Sequence, residues 1–149
     1  MGDIQEQIKL KKIFLKRYRR NNTCILRLKN KLYITESRLK SPKSPSYSGM
    51  PKGNPVTTED ILADKCDLEK RIERLNKKGE RIKNEILTQI DMIDDPRYCE
   101  ILEAYFIDCL DMEDIAEEMG YGPRHVYKLY SKAIERLVEF DSKRPVNWH

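Results

Sequence analysis

The 149 residues suit one medium domain or two small ones, and 36% of them are charged against 39% hydrophobic. An average domain is only about 25% charged, so this balance excludes a single round core and predicts an elongated, helix-rich chain. It also excludes a membrane span, because the longest uncharged run, residues 44–51, is polar.

The net charge of +4 is unevenly spread. Residues 1–55 hold 14 Lys/Arg and 3 Asp/Glu, a net of +11, whereas residues 56–95 and 96–149 carry −3 and −4. Within the basic third, the first element covers residues 1–40. Ile4, Ile8, Leu15, Tyr18, Ile25, Leu32 and Leu39 follow steps of three, four and seven, a heptad-like seam for one long helix or two collinear ones. Asn21-Asn22-Thr23 is its weakest point. The densest cations, Lys9, Lys11, Lys12, Lys16, Arg17, Arg19 and Arg20, suit a polyanion, most simply nucleic acid, or a solvated helix face.

Residues 41–56 hold four prolines and two glycines and form a linker. A second long helix spans 57–95. Thr57 or Thr58 caps it, Glu59 and Asp60 suit its first turn, and Ile61, Leu68, Ile72, Leu75, Ile82, Ile86 and Ile93 supply its seam. Gly79 on that seam marks a kink or a close approach. At 1.5 Å per residue both helices reach about 50 Å. They match as a coiled-coil-like hairpin, or each pairs with another chain in a homodimer. Part of the +11 is then neutralised by the second helix.

The most specific signal lies in 96–140. Asp95-Pro96 starts a helix with an apolar face of Tyr98, Ile101, Leu102, Tyr105, Phe106 and Leu110, and Asp111 starts another. The window MEDIAEEMGYGPRHVYKLYS then meets the needs of a helix-turn-helix. Ala116 is the small residue at the crossing, and Gly120 is the turn residue tolerant of positive φ. Ile115, Met119, Val126 and Leu129 surround the crossing, Tyr121 packs in the turn and Pro123 opens the next helix. Ala133, Ile134 and Leu137 extend the buried stripe.

Charge divides at the same place. Eight acidic residues and no Lys or Arg stand between Cys99 and Tyr121, whereas 122–137 hold Arg124, Lys128, Lys132 and Arg136 against Glu135. The cations recur at i, i+4, so they follow one helix face. A recognition helix needs cations for phosphates and donors for base edges. Arg124 suits guanine, His125, Tyr127, Lys128 and Ser131 are secondary contacts, and Lys132 suits a phosphate. The alternative is a solvated helix that balances its acidic neighbour.

EDIAEEMGYGPRHVYKLYSKAIERL resembles region 4 of sigma-70-type sigma factors, over residues 96–137. That resemblance implies reading of promoter DNA and docking on RNA polymerase. No counterpart of the −10 reader is present, so a complete sigma factor is not expected. The layout as a whole resembles phage and prophage late-transcription regulators of the ArpU/RinA type. These join a helical N-terminal part, a Pro/Gly link like Ser46-Tyr47-Ser48-Gly49-Met50-Pro51, and a C-terminal sigma-like helix-turn-helix. Gly122 and Pro123 depart from the usual Ser-led start of the recognition helix, so base specificity need not be that of a sigma factor.

The fold expected is all-α: a long helical hairpin, then a helix-turn-helix domain, then a tail over 141–149 in which Trp148 closes the core. The function expected is a sequence-specific DNA-binding transcriptional regulator, an activator of phage late genes acting on double-stranded DNA with host RNA polymerase. The alternatives are a terminase small subunit-like DNA-packaging component and a polymerase-binding adaptor without DNA affinity. An enzyme is not expected. The two histidines are His125 and the terminal His149, and no phosphate-binding glycine loop, H-E-x-x-H or nucleophile elbow occurs. No cofactor or metal is expected, because Cys24, Cys66, Cys99 and Cys109 form no C-x-x-C pair. Nor does the N-terminus carry a signal-peptide core or, with Glu6 in place of Ser or Thr, a myristoylation motif. A cytoplasmic protein with free thiols and no membrane partner is expected.

Overall fold

A computed structural model describes residues 3–40 and 56–142. Among them the chain is all-helical, with six helices and no strand. The expected linker, apart from Val56, and the tail from 143, including Trp148, lie outside the described residues.

Helix α1 runs Ile4–Leu15 and α2 runs Arg17–Lys40. Their junction is at Lys16, five residues before the expected weak point. Lys16 keeps a right-handed conformation, and its N–H still donates to the Lys12 carbonyl. Asn21 does not break the helix because its amide has a remote partner: Nδ2 donates to the Leu75 carbonyl at 2.8 Å. An Asn so engaged does not compete for its own backbone.

Helix α3 runs Thr58–Ile90 and passes through Gly79 without interruption. Thr57 is its cap. The Thr57 hydroxyl accepts from Asp60 N–H, and the Asp60 carboxylate accepts from Thr57 N–H, so two free amides are satisfied reciprocally. The helix stops short of the expected residue 95, in a turn where Met92 and Ile93 N–H bond back to Gln89 and Ile90 carbonyls. Asp95 then caps α4 (Pro96–Phe106), with Pro96 in the first turn. Asp111 caps α5 (Met112–Met119), and α6 runs Pro123–Ser142. Between α4 and α5, Cys109 takes a left-handed φ of 59°, a conformation that costs a β-carbon residue about 1–2 kcal/mol.

The chain divides into two compact units, Met1–Arg20 with Gly79–His149, and Asn21–Lys78. In the first, α6 packs on α4, α1 and α5. Its core joins Leu15, Ile86, Ile101, Leu102, Phe106, Ile115, Val126, Ile134 and Leu137, all essentially closed to solvent. Tyr105, Phe106 and Tyr130 meet ring to ring, with centroids 4.9–5.9 Å apart. In the second unit, Ile25 and Leu28 of α2 pack with Leu68 and Ile72 of α3, flanked by Leu32 and Leu75. Asn21 meets Leu75 and Glu36 meets Lys65, so the two segments run in opposite directions.

The basic cluster of α1 and early α2 is largely engaged in the first unit. Lys11 is buried, donates to Gln89 at 2.9 Å and forms an ion pair with Asp141. Arg17 pairs with Glu85. Arg19 donates to the Tyr105 carbonyl at 2.6 Å and the Leu110 carbonyl at 3.3 Å, and its guanidinium lies 4.3 Å from the Tyr105 ring centroid. Lys12 stands over Tyr130. Of the cations expected to face a polyanion, these four are held by the fold.

Candidate nucleic-acid interface

The candidate interface is built on the turn between α5 and α6. Gly120 adopts φ +72°, the left-handed conformation that glycine takes without steric cost. Gly120 N–H then donates to the Glu117 carbonyl and Tyr121 N–H to the Ala116 carbonyl, a Schellman end to α5. The Gly122 carbonyl accepts from His125 and Val126 N–H, and Pro123 occupies the first position of α6. Ala116, Ile115, Val126 and Leu129 are buried around this crossing, with Met119 and Tyr121 packed at its edge.

With that apolar side of α6 turned inward, the opposite side faces solvent. Arg124, Tyr127, Lys128, Ser131, Lys132 and Glu135 line one shallow surface. All six are exposed, Tyr127 by 56%. Among the described residues, Arg124, Lys128 and Lys132 join no ion pair. Five of the six expected contact residues therefore come together. His125, also exposed, stands apart, edge-on to the Tyr121 ring at 4.7 Å. Arg136, the fourth of the i, i+4 row, lies 3.5 Å from the Glu139 carboxylate. The row drifts about 40° per step on a 3.6-residue helix, so its fourth member leaves the face its first member sets. Glu135 shares that face, as its spacing of four from Ser131 would place it.

Helices α4 and α5 and the segment between them are acidic. Glu100, Glu103, Asp108, Asp111, Glu113, Asp114, Glu117 and Glu118 are all exposed. The Asp111 charge beside Asp114 is the main reason the Asp114 carboxyl is raised above its ordinary value. The Arg97 guanidinium, hydrogen-bonded to Asp95, holds that carboxyl below its ordinary value. Burial pushes the Cys99 thiol up. The four cysteines are free thiols. Among the described residues no cluster of His, Cys, Asp or Glu has a metal-binding arrangement, and no helix is long and apolar enough to cross a membrane. No protein-family model, curated protein or solved structure matches the chain.

Proposed function

We propose that the chain is a sequence-specific DNA-binding transcriptional regulator that uses α5, the Gly120 turn and α6 as a sigma-70 region 4-like helix-turn-helix. The observation that carries this reading is the exposed face of α6. Arg124, Lys128 and Lys132 stand there free of ion pairs beside Tyr127 and Ser131. In the first turns of a recognition helix, Arg124 and Lys128 would meet base edges, and Lys132 would meet a phosphate. Residues 21–40 and 58–78 would form a coiled-coil-like hairpin that pairs two chains or seats the protein against polymerase. By its resemblance to ArpU/RinA-type regulators, the protein would activate phage late genes with host RNA polymerase in the bacterial cytoplasm.

The test is selection of bound sequences from a random duplex pool, with the wild type and with Arg124→Ala/Lys128→Ala. The expected result is an enriched motif that disappears in the variant while its helicity is unchanged. Loss of the Arg124 contact alone is expected to cost about 1–3 kcal/mol and to relax one position of the motif. A motif retained in the double variant overturns the site. Enrichment by neither protein favours the polymerase-binding adaptor. The exposed carboxylates of α4 and α5 also speak for that second reading, since they repel DNA.

A further inference from the structure

We propose that the solvent face of α2 between Arg27 and Lys40 is a second, sequence-independent contact for the phosphates of double-stranded DNA. This rests on the reading of the chain as a DNA binder for the identity of the polyanion. Of the seven cations that the sequence makes densest, Lys11, Lys12, Arg17 and Arg19 are taken up by the fold, whereas those further along α2 are not. Arg27, Lys29, Lys31, Arg38 and Lys40 are all exposed, and among the described residues none has a carboxylate partner. The one acidic residue in α2, Glu36, lies 3.5 Å from Lys65 of α3.

Helical spacing arranges these cations. With Ile25, Leu28 and Leu32 turned toward α3, residues 26, 30, 33 and 37 point away from it. Arg27, Lys31 and Arg38 fall along one flank of this strip, and Lys29 and Lys40 along the other. The strip itself carries no charge: the Asn30 amide and the Tyr33 hydroxyl stand there with the apolar Leu26, Tyr33 being 69% and Leu26 66% exposed. Cationic flanks around neutral hydrogen-bonding groups are what a phosphate backbone is held by. Arg27 to Arg38 spans about 16 Å at 1.5 Å per residue, enough to meet several phosphates. Asp64 and Asp67 line the groove that Lys31 and Arg38 share with α3, but they form no ion pair there. A second copy docking through the same face would set cation against cation, so charge complementarity favours a polyanion.

The test measures duplex affinity against salt for the full chain. Arg27→Gln/Lys31→Gln/Arg38→Gln is compared with the wild type, and Lys29→Gln/Lys40→Gln serves as an independent variant of the other flank. All five side chains are exposed, so circular dichroism is expected to match the wild type. At about 0.9 per phosphate contact, the salt slope should shrink by about 2.7 in the triple variant and about 1.8 in the double. Between about 50 and about 200 mM salt, the triple variant should then lose about 40-fold less affinity than the wild type. The loss should be equal on selected and random sequences. Unchanged slopes in both variants overturn this proposal and leave the α6 reading standing. If Arg124→Ala/Lys128→Ala binds selected DNA like the wild type while the α2 variants lose affinity, the α6 reading fails and this one stands. No binding of any duplex by the wild type overturns both.

Discussion

Gly120 and Gly122 stand two residues apart and serve different ends. A β-carbon at either position meets nothing within 4 Å, but only Gly120 has a positive φ. Gly120→Ala is therefore expected to cost about 1–2 kcal/mol, all of it backbone strain, and Gly122→Ala to stay within about 0.5 kcal/mol. Urea unfolding of the two variants checks this, and equal costs would contradict it. Tyr130 gives a prediction in pH. Burial lifts its hydroxyl from 10 to about 12, the neighbouring Tyr105 adds to the rise, and Arg19 opposes it. A group whose folded pKa is raised favours the folded state below its unfolded value and ceases to do so as pH rises through its folded value. Stability should fall between about pH 10 and about pH 12, and Tyr130→Phe should escape that part of the fall. Melting temperatures at neutral and alkaline pH measure it; a difference between variant and wild type that is constant with pH would refute the assignment. The special role of Gly120 is legible in the sequence, because only glycine takes that conformation cheaply between two apolar stripes. Tyr130 stands four residues after Val126 and four before Ile134, a spacing that carries it onto the same buried face, although the stripe read from the sequence does not include it. The left-handed Cys109 is not legible, since a cysteine carries no local preference for that region.

Helix starts were the most legible elements. Asp95-Pro96 and Asp111 cap α4 and α5 as their spacing indicates, because a cap is made by side chains within three residues of the amides it satisfies. Between Thr57 and Thr58 the structure chooses Thr57, whose hydroxyl bonds Asp60 N–H. Thr57→Ala should accordingly cost about 1 kcal/mol and Thr58→Ala under about 0.5 kcal/mol. Chemical denaturation followed by circular dichroism reads both, and a reversed order would move the cap. The α1–α2 junction was less legible. Asn21-Asn22-Thr23 has the lowest helix propensity in that stretch, but the bond from Asn21 to the Leu75 carbonyl comes from 54 residues away. Helix propensity is a weak prior, and here a tertiary contact overrides it.

At the scale of the molecule, α1 shares its core with α4, α5 and α6, whereas residues 21–40 of α2 share theirs with 58–78 of α3. Leu15→Ala and Leu28→Ala remove side chains that are 0% and 1% exposed, and each should cost about 2–5 kcal/mol. Hydrogen exchange should place the losses differently: Leu15→Ala lowers protection in α4 and α6, Leu28→Ala in residues 58–78. Unchanged α4 and α6 amides in Leu15→Ala would contradict the shared core. The candidate face on α6 was legible because its cations, its apolar stripe and its turn lie within one short window. The helical class, the caps, the Gly120 turn and the i, i+4 cation row follow from local sequence, since these depend on neighbours within a turn or two of helix. Which cations remain free depends on contacts between distant segments. Lys11 meets Gln89, and Arg19 meets the Tyr105 and Leu110 carbonyls, across separations of 78, 86 and 91 residues. The charge of a side chain belongs to the sequence, but the partner that satisfies it is brought there by the fold.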